Sequence, residues 1–321
     1  MSGPASSVTR APGGASGVEV AHGGARKKKE RGGGFVEGWL RGHAVLIYAF
    51  LYVPIIIVVV FSFNGTDRRV TQWDGFSLRW YESVLSDTAV QSALANSLIV
   101  ASSTAVIATI FGTMAALGLQ RAPRWFSGPF QALTFISIIV PEIVIALATL
   151  VFFSSTFDII NPLLDLKLRL GFQTIIAAHA LFNISLVMLL VRARLSGMDR
   201  THVEASYDLY GTPWRTFWQI TVPQLLPAII AGCLLSFTFS FDDYVITTFV
   251  SGAGSTTLPL YVFSTIRKGV TPATNAVAAI MLLITLSILV VGQFLIWRNA
   301  RRTGQRGAQA SVAGMITEQS G

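Results

Sequence analysis

An all-α membrane protein with about six transmembrane helices is the fold class predicted by this 321-residue sequence, and three observations predict it. Hydrophobic residues make up 52% of the chain and charged residues 12%, against roughly 25% charged in an ordinary soluble domain. Apolar stretches of about 20 residues, the length that crosses a hydrocarbon core of roughly 30 Å, occur six times. They run over 44–63, 93–119, 130–153, 172–191, 226–250 and 276–297. The runs are continuous, without the period-2 alternation of a membrane strand, and a helix is the form that satisfies its own backbone hydrogen bonds in lipid.

Residues 1–43 precede the first apolar stretch and read as a disordered, basic tail. The run Arg26, Lys27, Lys28, Lys29 and Arg31 lies in a Gly- and Ala-rich stretch with little apolar surface to bury. No small-residue cleavage site follows it, so it reads as a topogenic tail and not as a cleaved signal peptide. The net charge of +8 is spread over tails and loops, so no nucleic-acid partner is expected. Cys233 is the single cysteine and sits in an apolar run, which excludes an internal disulfide.

Lys and Arg set the orientation of the spans, because basic loops stay cytoplasmic. With both termini inside, seventeen of the 24 basic residues fall in the tails and in the loops after spans 2 and 4. The expected location is therefore a bacterial cytoplasmic (inner) membrane, crossed several times, with both termini in the cytoplasm. The transmembrane domain is expected over 44–297, with a cytoplasmic loop at 195–225 and a cytoplasmic tail at 298–321. Two outer loops carry signs of local order. One has Trp73, Phe76, Trp80 and Tyr81; the other, over 251–275, has Leu258, Leu260, Tyr261 and Phe263 and suits the membrane interface.

The loop after span 4 predicts two short helices joined by a sharp turn. Thr201 with Glu204 fits a capping box, Gly211 ends the first helix, and Thr212-Pro213 cap and begin the second. Trp214, Phe217, Trp218 and Thr221 then recur at helical spacing, a face that needs lipid headgroups or a groove on a partner.

Three acids lie inside predicted spans: Glu142, Asp242 and Asp243. A carboxylate at a membrane helix centre costs roughly 2.5 to 3.5 kcal/mol, so each implies a water-filled path, a partner or a task. Glu142 follows Pro141, whose missing N–H loosens the third helix. Ser236, Ser240, Asp243 and Thr247 form one stripe along a continuous fifth helix, with Asp242 about 100° around the wheel. Without Lys or Arg deep in a span, the stripe reads as the wall of a path for something cationic. His179 and Asn183, one turn apart, read as interhelical hydrogen-bonding groups.

Glu204-Ala205-Ser206, with Ile220 and Pro223 sixteen and nineteen positions after Glu204, resembles the EAA loop of ABC-importer permeases. In that family the loop sits in a cleft of the ATPase subunit, which implies a coupling role for Glu204, Ala205, Gly211, Trp214, Phe217, Trp218 and Pro223. One departure stands out: the family glycine, six positions after the glutamate, falls on Tyr210, with Gly211 one place later. From Ile47 onward the chain is also similar to the permeases of spermidine/putrescine importers. The stretches Phe61-Ser62-Phe63-Asn64, Pro141-Glu142-Ile143-Val144 and Ser240-Phe241-Asp242-Asp243 carry that likeness, together with Leu258-Pro259-Leu260.

That resemblance implies the ABC importer type I permease fold and substrate contacts at Trp73, Glu142, Ser240, Asp242 and Asp243. It also implies a second permease, a pair of ATPase subunits and an external (periplasmic) substrate-binding protein as partners. No glycine-rich phosphate loop ending in Gly-Lys-Ser/Thr is present, so ATP and Mg²⁺ are expected on the ATPase partners and no cofactor or metal on this chain. The alternatives are an ABC permease for another cationic or small solute, or an ion channel or secondary transporter using the same acids. Catalysis by Asp242 and Asp243 as a pair is disfavoured, because adjacent helical residues point about 100° apart.

Overall fold

The structure, a computed structural model, describes residues 33–66, 72–199 and 201–302. The basic run at 26–31 and the C-terminal tail beyond Arg302 lie outside the described residues. The chain divides into two units, Met1–Val53 and Pro54–Gly321. The first holds the beginning of α1 (Gly33–Phe61), where Trp39 stacks on His43 and Tyr48 on Tyr52 at the i, i+4 spacing of helical neighbours.

In the second unit the described residues are helical, with an isolated antiparallel bridge between Asn64 and Phe76. After α1 come α2 (Arg79–Ser86), α3 (Thr88–Arg121), α4 (Arg124–Ile139), α5 (Glu142–Leu164) and α6 (Phe172–Ser196). The short helices α7 (Thr201–Asp208) and α8 (Pro213–Thr216) lead through a π-helical turn at Phe217–Thr221 into α9 (Val222–Asp242). The chain ends with α10 (Val245–Val250), α11 (Leu258–Ile266) and α12 (Pro272–Arg302). Six segments are long and apolar enough to cross a membrane, the number the sequence predicts; the third and fifth, Glu142–Leu164 and Pro213–Asp242, are displaced from the expected 130–153 and 226–250.

Two predicted spans are broken where the sequence suggested continuous helices. Span 3 divides at Val140-Pro141: proline pushes the residue before it out of the helical region, and Val140 is extended at φ −62°, ψ 131°. Glu142 is therefore the first residue of a new helix, not a residue in a loosened one. Span 5 divides after Asp242, with Asp243 extended at φ −67°, ψ 127°. Helix breaks at membrane depth persist where protein buries them or where they line a cavity.

α3, α6 and α9 pack together as the centre of the second unit. With lipid as solvent there is little hydrophobic drive between helices, so close approach relies on small residues. Val187 on α6 nests between Gly112 of α3 and Gly232 of α9; an added Cβ would lie 2.8 Å from Val187 Cβ at Gly112 and 3.2 Å from its Cγ1 at Gly232. Ala101, Ala105, Ala108 and Ala116 continue the buried small-residue face of α3. Outward surfaces carry large apolar side chains such as Phe111, Phe152 and Leu283, the natural complement of lipid or of further membrane subunits.

The loops before α2 and before α11 are built parts of the fold. The chain from Ser62 to Tyr81 closes on itself: Tyr81 Oη lies 2.6 Å from Ser62 Oγ, and Trp80 Nε1 donates to the Asn64 carbonyl at 2.9 Å. Asn64 is fully buried, donating through Nδ2 to the Gln72 carbonyl and accepting the Asp74 N–H at Oδ1. The segment before α11 is tied to α3, with Asn96 donating to the Gly254 and Thr256 carbonyls and Ser97 Oγ accepting the Leu258 N–H. Leu258 and Val262 are buried in the protein core, so α11 is anchored in protein beyond the interfacial placement expected for it.

Candidate functional site

The two helix breaks meet. α10 packs on α5 and α6, and the Glu142 and Asp243 carboxyls lie close enough to act on each other. Asp243 is buried, 9% exposed, and its Oδ2 accepts from the Thr247 N–H and Oγ–H, each at 2.8 Å. Its Oδ1 accepts from the Ile246 N–H at 3.3 Å. The carboxylate thereby caps the opening turn of α10, whose first N–H groups have no partner within the helix.

From α6, His179 enters this corner. It is 1% exposed, with Nε2 2.9 Å from Asp243 Oδ2 and 3.1 Å from Thr247 Oγ1, and Nδ1 2.7 Å from Ser240 Oγ. Ser240, Asp243 and Thr247 thus converge as the predicted stripe requires, though from two helical segments. Ser236, the fourth member, is fully buried on α9. His179, expected only as a helix-bonding partner of Asn183, is the basic group beside Asp243. Asn183 bonds within its own helix, donating to the His179 carbonyl at 2.9 Å. A lone histidine in an apolar span carries no signal in sequence that it meets residues more than sixty positions away.

The structure separates the neighbouring acids. Asp242 is exposed and points toward α12, where the Thr285 hydroxyl donates to its Oδ1 at 3.4 Å. Glu142 is likewise exposed at the start of α5. Trp73 sits on the clasp that Asn64 closes before α2, 50% exposed and edge-on to Phe61 at 6.0 Å between ring centroids. Gln72 and Asp74, its two neighbours, are both fastened to the Asn64 side chain.

At the other end of the molecule, the cytoplasmic-loop candidate has the expected pair of short helices. Thr212 Oγ1 accepts the Arg215 N–H at 3.4 Å and Pro213 opens α8, as predicted. The start of α7 differs: Asp199 Oδ1 accepts the Thr201 N–H at 2.9 Å and its hydroxyl at 2.6 Å, in place of a Thr201–Glu204 box. The Thr201 side chain, then its backbone N–H, hold Asp199 below the ordinary carboxylate range. A carboxyl with a depressed pKa gives its cap at neutral pH and loses it as pH falls through that lowered value.

The turn after α7 resolves the displaced glycine. Tyr210 adopts φ +57°, the left-handed conformation, with its N–H on the Tyr207 carbonyl, while the Gly211 N–H reaches the Ser206 carbonyl at 2.8 Å. That pair of bonds is a Schellman closure with Tyr210, not Gly211, in the left-handed position. Gly211 is required for space, since a Cβ there would lie 2.7 Å from the Ser206 carbonyl oxygen.

Trp214, Phe217 and Trp218 form an aromatic cluster, with 5.8 Å between the tryptophan centroids and 5.4 Å from Phe217 to Trp218. Trp214 is 72% and Trp218 52% exposed. Glu204 lines a cleft of about 660 Å³ with Met114, Arg121 and Phe217; Ala205, Gly211 and Pro223 line a second of about 910 Å³.

Residues 108–305 match the family described as binding-protein-dependent transport system inner membrane component. The chain is 41% identical over 239 residues to the putrescine transport system permease protein PotI of Escherichia coli, covering 74% of this chain and 83% of the relative. It is 37% identical over 255 residues to the spermidine/putrescine transport system permease protein PotC of Haemophilus influenzae, covering 79% and 95%. Among solved structures, the chain of a bacterial ABC transporter involved in the import of the acidic polysaccharide alginate superposes with a TM-score of 0.69. That match covers 82% of this chain and 95% of the other, at 11% identity, and establishes the shared fold. The chain is a multi-pass membrane protein and belongs to the family of binding-protein-dependent transport system inner membrane components.

Proposed function

We propose that this chain is one of two permease subunits of an ATP-driven polyamine importer, with Glu142 and Asp243 as the central cation site. The observation that carries this is the meeting of two carboxyls, from α5 and from the α9–α10 break, inside a membrane-spanning body. One of them, Glu142, is exposed, and an acid facing hydrocarbon is costly, so this surface faces water or a partner subunit. An ammonium group between two carboxyls neutralises charge that neither can offset alone. The similarity to PotI and PotC supports polyamines as the cation class.

Ser240 belongs to the site through His179, while Asp242, facing α12, and Trp73, on the outer clasp, are proposed as separate contacts along the path. An indole face attracts a cation by roughly 0.5 to 2 kcal/mol, which suits Trp73 to an outer position. The loop at 195–225 is the proposed coupling element, its Glu204, Ala205, Gly211, Trp214, Phe217, Trp218 and Pro223 meeting the ATPase. The ATPase pair holds ATP and Mg²⁺, and an external binding protein delivers the substrate. Both termini lie in the cytoplasm, with 1–43 and 298–321 as tails around the membrane domain.

The test is uptake into proteoliposomes carrying the assembled complex with ATP inside. A panel of labelled putrescine, spermidine, arginine and a neutral amino acid should give ATP-dependent uptake of the polyamines alone. Uptake confined to arginine would assign the acids to another cation, and uptake of the neutral amino acid would remove their charge from the argument.

A further inference from the structure

We propose that His179 is a positioning residue of the transport site, holding Oδ2 of Asp243 and the hydroxyl of Ser240 so that Asp243 meets the incoming cation together with Glu142. The inference rests on the proposed acidic site. Asp243 lies where the helix is broken and its backbone is extended, so the rows of a continuous helix do not aim its side chain. The Ile246 and Thr247 donors hold the carboxylate from its own segment, and α6 adds an anchor from outside it.

The chemistry of the ring fixes the arrangement. A carboxylate only accepts, so Nε2, 2.9 Å from Asp243 Oδ2, carries the hydrogen. In the neutral ring Nδ1 then accepts from the Ser240 hydroxyl at 2.7 Å. Turning the imidazole over would break both contacts, and a buried polar group left unpaired is costly. Oδ2 is occupied by His179 and by both donors of Thr247. Oδ1 has a single long bond, from Ile246 among the described backbone donors, and keeps capacity for a cation shared with Glu142.

All three polar partners of the His179 ring, Ser240, Asp243 and Thr247, lie on the α9–α10 segment, whereas a residue that merely tied α6 into the core would need no particular contact at the break. Asn183, one turn further along α6, donates through Nδ2 to the His179 carbonyl within its own helix and has no such contact at the break.

The experiment measures uptake of labelled putrescine per assembled complex, at saturating loaded binding protein, alongside recovery of the complex. Variants are His179→Met, His179→Gln, His179→Asn, Asp243→Asn and the double variant His179→Met with Asp243→Asn. Met fills the space without polarity; the Gln amide reaches the place of Nε2, and the Asn amide that of Nδ1.

His179→Met should lower uptake about tenfold, the scale of one charge-assisted hydrogen bond, with complex recovery unchanged. His179→Gln should restore uptake to within about threefold of wild type, a tolerance set well inside that tenfold loss. The double variant should be no worse than Asp243→Asn, because a residue acting through Asp243 has nothing left to position. Should the Met variant fail to assemble, Gln active with Asn inactive supports the inference, and the reverse overturns it. Gln as impaired as Met, or losses that multiply in the double variant, would also overturn it. Wild-type uptake by Asp243→Asn would remove the acidic site itself, whereas a defective Asp243→Asn beside a normal His179→Met would remove only the positioning role.

Discussion

The acidic corner and the α7–α8 loop are built on opposite principles. At Glu142, His179, Ser240 and Asp243, residues from α5, α6, α9 and the break that follows α9 are brought together by tertiary packing, with His179 and Asp243 buried. At α7–α8 the whole device lies within about twenty consecutive residues, its caps and turn are local, and its aromatic side chains stand exposed. The first arrangement suits recognition, in which a buried charge waits for a partner. The second suits docking, in which exposed aromatic area waits for a groove.

Variants of the loop should therefore fail in a different way from those of the corner. The largest effect is expected from Trp214→Ala with Phe217→Ala, which removes the exposed Trp214 and the half-buried Phe217 from the aromatic cluster. Recovery of the ATPase with the permease should fall at least about tenfold, given that aromatic anchors at interfaces commonly contribute about 2 kcal/mol or more. Membrane insertion should be unchanged. Full ATPase recovery in a pull-down would break the contrast, leaving the cluster as a membrane-interface belt.

A smaller effect is expected at the turn. Tyr210→Gly relieves a left-handed non-glycine residue, which costs roughly 1 to 2 kcal/mol, and should raise the resistance of the loop to limited proteolysis. Gly211→Ala should lower it, because the added methyl meets the Ser206 carbonyl. Equal protection of both variants would show that the turn is held by something other than the Schellman bonds.

The same division explains what the sequence made legible. All six spans were readable because apolar length is a local property, and so were the Thr212-Pro213 cap and the aromatic face. The break at Pro141 was half-readable: proline announced it, but a new helix beginning at Glu142 depends on packing against α10. The break after Asp242 had no proline to mark it, and the acidic side chain that caps α10 is what sustains it. His179 was visible as a buried polar residue, yet its partners are 61 and 64 positions away. The displaced glycine misled for a physical reason, since the left-handed conformation and the close approach fall on adjacent residues and Gly211 serves only the second.

The most direct test of the acidic corner is uptake of labelled putrescine by the assembled complex carrying Glu142→Gln, Asp243→Asn or Asp242→Asn, with complex recovery measured for each. Losing one partner of a buried charge pair costs about 2 to 5 kcal/mol, so Glu142→Gln and Asp243→Asn should each lose at least about tenfold in uptake while the ATPase remains bound. Asp242→Asn, on the other side of the helix, should lose less. Normal uptake by both Glu142→Gln and Asp243→Asn would contradict the account and leave the two carboxyls as a structural tie between α5 and α10.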